Sequence, residues 1–165
     1  MESHSTRSHD TARPSANYLR LGGELALDFA VMYLVMYTMI ATLEHFRFNL
    51  NNVYMTLMMV APMAIVMVWS MRSMFPSRRA NAAIIAGAAA VFVASFAAMR
   101  TQAAVGDAEF LRSMIPHHSG AILMCEKAKL SDPEILALCR NIVQSQTQEI
   151  AQMKAIAQRR AKAQG

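Results

Sequence analysis

Charge is what this sequence has least of. Only 16% of its 165 residues are Asp, Glu, Lys or Arg, while 55% are hydrophobic. A soluble domain carries about a quarter charged residues. The shortfall is local, because the stretch from residue 25 to 99 is nearly charge-free apart from two short loops. Cysteine is also sparse, with Cys125 and Cys139 alone. Such a pair outside the cytosol forms one disulfide or contributes to a metal site, and spacing does not choose between them. No glycine-rich phosphate loop and no nucleophile–base pair stands out, so enzymatic activity is not expected. Basic residues exceed acidic ones by five. No basic patch interleaved with aromatics accompanies them, which argues against nucleic acid as a partner. The arginines instead flank hydrophobic runs, where they orient a membrane protein.

What is present is organised in blocks. Residues 1–24 are polar and mixed in charge, and read as a disordered tail. A cleavable signal peptide is not expected, since the first apolar run starts late and no small-residue cleavage site follows it. Three apolar runs come next, Leu25–Leu43, Val53–Met71 and Ala80–Met99. Each is near the roughly 20 helical residues that span a hydrocarbon core. Together they predict a three-helix transmembrane module over residues 25–100, with the lipid bilayer as partner. Arg72, Arg78 and Arg79 make the loop after the second run basic, whereas the loop after the first holds Glu44, His45 and Arg47. Positive loops stay inside. The N-terminal tail is therefore expected in the cytoplasm and the C-terminal part outside.

Methionine is abundant, at 15 residues, ten of them between Met32 and Met74. Met32, Met36 and Met39 on the first run, and Met55, Met59, Met63 and Met67 on the second, form helical stripes. Flexible packing in a membrane explains such stripes. A supply of soft thioether ligands for Cu(I) also explains them. Asp28 is costly in lipid yet close enough to the inner interface to reach water. Pro62 should kink the second helix.

Residues 107–129 and 133–162 both carry helical periodicity, separated by Leu130-Ser131-Asp132-Pro133. Ser131 or Asp132 can cap the second helix, with Pro133 in its first turn. The prediction is an antiparallel hairpin. Its buried faces should carry Phe110, Met114, His117, His118, Ala121, Cys125 and Ala128 on one helix. On the other they should carry Ile135, Cys139, Ile142, Val143, Gln146, Ile150, Met153 and Ala157. Histidine is unfavourable in a core without partners. With the turn near residues 131–132, Cys125 lies level with Cys139, and Met114 level with Glu149. One seam thus gathers Met114, His117, His118, Cys125, Cys139, Glu149 and Met153, with Met124 at its edge. Imidazole suits copper and zinc, and thioether selects Cu(I). These eight residues are the candidate metal ligands. The bland alternative is histidines held by Gln146 and Glu149 without metal. Pro116 makes the backbone irregular beside them, either as a kink or through a helix restart at Ser113. Either way a carbonyl near Arg112 or Ser113 is freed to orient an imidazole.

The run from Phe110 to Met124, with its Met-Ile-Pro-His-His core, resembles the signature of domain-of-unknown-function family 305. So does the later run from Ile142 to Met153, with Gln146, Glu149 and Ile150 at matching spacing. The membrane stretch Asn49–Met55 followed by Ala61-Pro62-Met63 is similar to that of membrane-anchored members. The resemblance implies a ferritin-like helical bundle handling copper outside the cytoplasm. It points to Met114, His117, His118, Met124 and Met153.

The expected protein is all-α, with three transmembrane helices and then the hairpin. Two helices make too small a core alone, so a four-helix bundle by homodimerisation is the expected remedy, ahead of packing on the membrane module. The expected function is copper binding or copper tolerance, with another transition metal as the variant, in a bacterial inner membrane with the hairpin in the periplasm. The competing reading is a membrane anchor presenting a dimerising bundle without metal. A di-iron oxidase ranks below both, because such bundles use several carboxylates and this seam offers one, Glu149.

Overall fold

The computed structural model describes residues 14–164. Among them the chain forms helices and no strand. The order is α1 (Pro14–Val35), two short 3-10 turns (Met36–Met39 and Leu43–His45), α2 (Leu50–Ser70), α3 (Arg78–Thr101), α4 (Asp107–Lys127) and α5 (Pro133–Gln164). Capping sets several of the boundaries. The Asn49 side chain accepts from the Asn52 N–H at 2.9 Å to start α2, and Ser77 accepts from Ala80 N–H at 3.2 Å to start α3. At α5, Asp132 Oδ1 accepts from the N–H groups of Glu134 and Ile135 at 2.8 and 3.1 Å. Of the two residues expected to cap that helix, Asp132 therefore does so.

Helices α2 and α3 form one antiparallel pair, with α1 laid along α2; α4 and α5 form the other. At one end of the first group, Tyr18 donates to Asn81 Oδ1 at 2.8 Å and Asn17 to Met74 O at 2.9 Å. Beneath them Leu21, Val68 and Phe75 pack together. Residues 14–24, expected as part of a disordered tail, are thus the first turns of α1, fixed by these long-range contacts. Residues 1–13 of that tail lie outside the described residues.

A second correction concerns the first apolar run. Its α-helix ends at Val35 rather than continuing to Leu43. Residues 36–49 instead fold back, because Tyr33 and Tyr37 bond to one another at 3.1 Å and both reach Asn49. Tyr33, Tyr37, Phe46 and Phe48 stack around this turn. Among the described residues two helices, Leu50–Ser70 and Arg78–Thr101, are long and apolar enough to cross a membrane. Helix α1 is interrupted by Arg20, Glu24 and Asp28. Both α2 and α4 run through their prolines as continuous helices, so α4 does not restart at Ser113.

The hairpin finds its third wall within the chain. Leu111, Ile115, Ile122, Ile150 and Met153 form a buried cluster between α4 and α5, and Ala41 from the folded-back loop packs against it. Of the two remedies for a thin core, packing on the rest of the chain is present here.

Candidate metal centre

The third wall rotates α4. Its buried side chains are Leu111, Ser113, Ile115, His118, Ser119 and Ile122. The inward face lies about one position away from the expected one, because α4 is covered by α5 on one side and by residues 36–47 on the other. His117 is consequently exposed while His118 is buried, and their ring centroids lie 5.9 Å apart. Phe110 and Ile135, placed on buried faces by periodicity, are about half exposed.

His118 is held at both ring nitrogens. Nδ1 lies 2.8 Å from Met114 O, and Nε2 lies 2.7 Å from Glu149 Oε2. A carbonyl oxygen only accepts, so Nδ1 carries the hydrogen of the first bond. Nε2 is left to face the carboxylate. Ser145 donates to the other carboxylate oxygen, Oε1, at 2.8 Å and so fixes its direction. The carbonyl that orients the imidazole belongs to Met114, one helical turn back, and not to Arg112 or Ser113. The Ser113 hydroxyl, buried beside the proline turn, has no hydrogen-bond partner.

The remaining candidates divide. Met153 is buried in the hairpin core and Met114 packs against the same cluster, while Met124 is exposed. Cys125 and Cys139 are joined in a disulfide with their Cα atoms 5.3 Å apart. They are therefore withdrawn from the ligand set, since a disulfide offers no thiolate. Their expected level across the hairpin is met. Among the described residues, no three His, Cys, Asp or Glu side chains cluster closely enough to hold a metal ion. His118 and Glu149 would need a thioether or the neighbouring His117 to complete a site.

A second polar cluster escaped the sequence reading. Ser119, fully buried, accepts from Ala41 N–H at 2.7 Å, and its hydroxyl lies 2.8 Å from His45 Nδ1. These contacts cross more than seventy positions, so no local periodicity could have announced them. Burial is the main cause pulling the His45 imidazole below its ordinary value; nearby Lys154 adds to this and Glu44 opposes it. A lowered folded value means the unfolded chain binds more protons through that window. The stabilisation is therefore complete above about pH 6.5 and is lost as pH falls below it. Amide exchange of residues 36–49 should accelerate between pH 7.5 and pH 5 relative to helix α3. An unchanged ratio would show that His45 does not govern this contact.

Residues 67–157, more than half of the chain, match the family described as Domain of unknown function (DUF305). The chain belongs to this family. The match reaches back through α3 into α2, so the DUF305 region is larger than the hairpin alone. An uncharacterized protein of Acanthamoeba polyphaga mimivirus is 35% identical over 112 residues, which cover 67% of this chain and 72% of that protein. No solved structure matches the chain.

Proposed function

We propose that this DUF305 protein is a membrane-anchored, extracytoplasmic metal-binding module that prefers copper. The observation that carries the metal reading is His118. Its Nδ1–H is anchored on a backbone carbonyl while Nε2 faces a carboxylate across 2.7 Å. That approach is a hydrogen bond; a metal ion held by both atoms at about 2 Å each would set them about 3.3 Å apart, so an ion would replace this bond and part the pair slightly. Anchoring one ring nitrogen so that the other is aimed is how ligating histidines are held. Glu149, His117 and the thioether of Met114 are the groups that would complete the set, with Met153 behind them; Met124, ten residues along the continuous α4 and so about 15 Å from Met114, lies too far to share the ion. Thioether and imidazole together favour Cu(I).

The anchor has separate support. The most apolar window of α3 is only 6% buried, and that of α2 28%, which suits contact with lipid rather than a soluble core. The 21 residues of α2 extend about 30 Å, the thickness of a hydrocarbon core. Tyrosines mark both ends: Tyr18 at one, Tyr33, Tyr37 and Tyr54 at the other. Helix α1 would be the third, partly polar, span. Arg72, Arg78 and Arg79 lie at the end opposite the hairpin, which favours a cytoplasmic arginine loop and an external hairpin. The disulfide fits an oxidising compartment such as a periplasm. Homodimerisation through the hairpin would cover exposed Met124, Ile135 and Leu138.

The test is mass spectrometry of the detergent-purified protein titrated with Cu(I). The wild type should bind copper, and His117→Ala/His118→Ala should lose at least one ion per chain. Unchanged stoichiometry would sink the copper reading. A second reading is a structural module without metal, favoured by the His118–Glu149 pair already satisfying its own polar groups. On that reading, added copper leaves the thermal midpoint unmoved.

A further inference from the structure

Three arginines from three separate elements converge where the hairpin meets the first helical group. Arg47 comes from the folded-back loop, Arg112 from α4 and Arg160 from α5, and all three line one cavity of about 220 Å³. Among the described residues no acidic side chain lines it, and Leu111, Ile115 and Ala157 are among its apolar walls. Each guanidinium is steadied at its edge. Arg112 bonds to Glu109 at 2.7 Å, Arg160 to Asp107 at 2.8 Å, and Arg47 to the carbonyl oxygens of Glu44 and Phe46. A guanidinium has five N–H donors, so each retains donors for an anion. Among the described residues Arg47 has only carbonyl partners and no carboxylate, so no ion pair there offsets its charge. Convergent guanidiniums suit a phosphate, which accepts their paired N–H groups.

Arg112 and its ion-pair partner Glu109 also line a second, more open cavity of about 450 Å³, together with Asn49 and an apolar wall of Phe29, Tyr33, Phe48, Leu50 and Val53. These residues lie along the hairpin end of α1 and α2. A cationic cavity and an apolar groove that share one arginine match a molecule with a phosphate at one end and hydrocarbon at the other. We infer that Arg47, Arg112 and Arg160 bind the phosphate of a phospholipid whose acyl chain lies in the groove between α1 and α2. This rests on the membrane reading above, since the groove faces lipid only if α1 to α3 cross a bilayer. It is independent of the metal. Free phosphate would share the arginines but have no use for the groove.

Native mass spectrometry of the full chain from detergent micelles, titrated with phosphatidylglycerol, diacylglycerol or inorganic phosphate, separates the sources. The wild type should hold phosphatidylglycerol at least tenfold more tightly than diacylglycerol. Arg112→Gln/Arg160→Gln should erase that preference while leaving the helical circular dichroism unchanged. Val53→Trp, which fills the groove, should weaken phosphatidylglycerol by a similar factor without affecting inorganic phosphate. A preference that survives the double glutamine variant overturns the site. So does inorganic phosphate binding as tightly as the lipid. Carbonate extraction of membranes distinguishes the two levels of failure. Release of the protein removes the anchor and the lipid site together, whereas retention with an unchanged lipid preference removes the lipid site alone.

Discussion

Replacing both Cys125 and Cys139 with alanine is expected to destabilise the hairpin by about 3 kcal/mol and to leave its copper stoichiometry unchanged. The stability arm follows from topology. The disulfide closes a loop with a sequence separation of 14, and cross-linking a loop of that length removes about 3 kcal/mol of chain entropy from the unfolded ensemble. It ties the end of α4 to the start of α5. Amide exchange there should accelerate roughly a hundredfold relative to the oxidised wild type. The copper arm follows from chemistry, because sulfur atoms bonded to one another are not thiolate ligands. A fall in bound copper in the double variant would return the cysteines to the site and overturn the assignment to His118 and Glu149.

Ser119→Leu is expected to undock the hairpin from the rest of the chain. Ser119 is fully buried, and its hydroxyl serves Ala41 N–H and His45 Nδ1 together. Leucine removes both contacts, which costs about 1–3 kcal/mol for the stranded amide. It also forces extra methylenes into a filled space, at a further 1–3 kcal/mol or so. Limited proteolysis within residues 36–49 should therefore begin at protease levels that spare the wild type. Gly120→Ala is the control. A methyl there would sit 3.4 Å from Met39 O, an ordinary contact, and alanine favours helix by up to about 1 kcal/mol. The two neighbouring substitutions should differ sharply. If Gly120→Ala also exposes the loop, backbone proximity rather than the Ser119 bonds holds the contact.

Much of the hairpin was legible because it is local. Asp132-Pro133 is a helix start that needs only its own turn, and once that turn is placed, counting residues brings Cys125 level with Cys139. Glu149 was reached by the same count, displaced by about one helical turn: it meets His118, four residues along from Met114. The rotation of α4 was not legible. A helical wheel finds an apolar stripe, but α4 is covered from two directions, and the second cover comes from residues 36–49. With Ser119 and Ser113 among its buried side chains, that second face carries too little hydrophobicity to register as a stripe. The same contact explains the misreading of the first apolar run. Met36–Leu43 has the hydropathy of a span, and nothing local says that Tyr33, Tyr37 and Asn49 will bend it back beneath α4.

The sequence by itself determined the helical class, the division into an apolar group and a polar hairpin, the register of that hairpin and the family signature. Each of these depends on spacing along one or two adjacent helices. The tertiary structure decided which histidine is buried and that three arginines spread over more than a hundred positions face one cavity. Those outcomes depend on a loop meeting α4 across more than seventy residues, and side-chain complementarity at that range leaves no periodic trace in the chain.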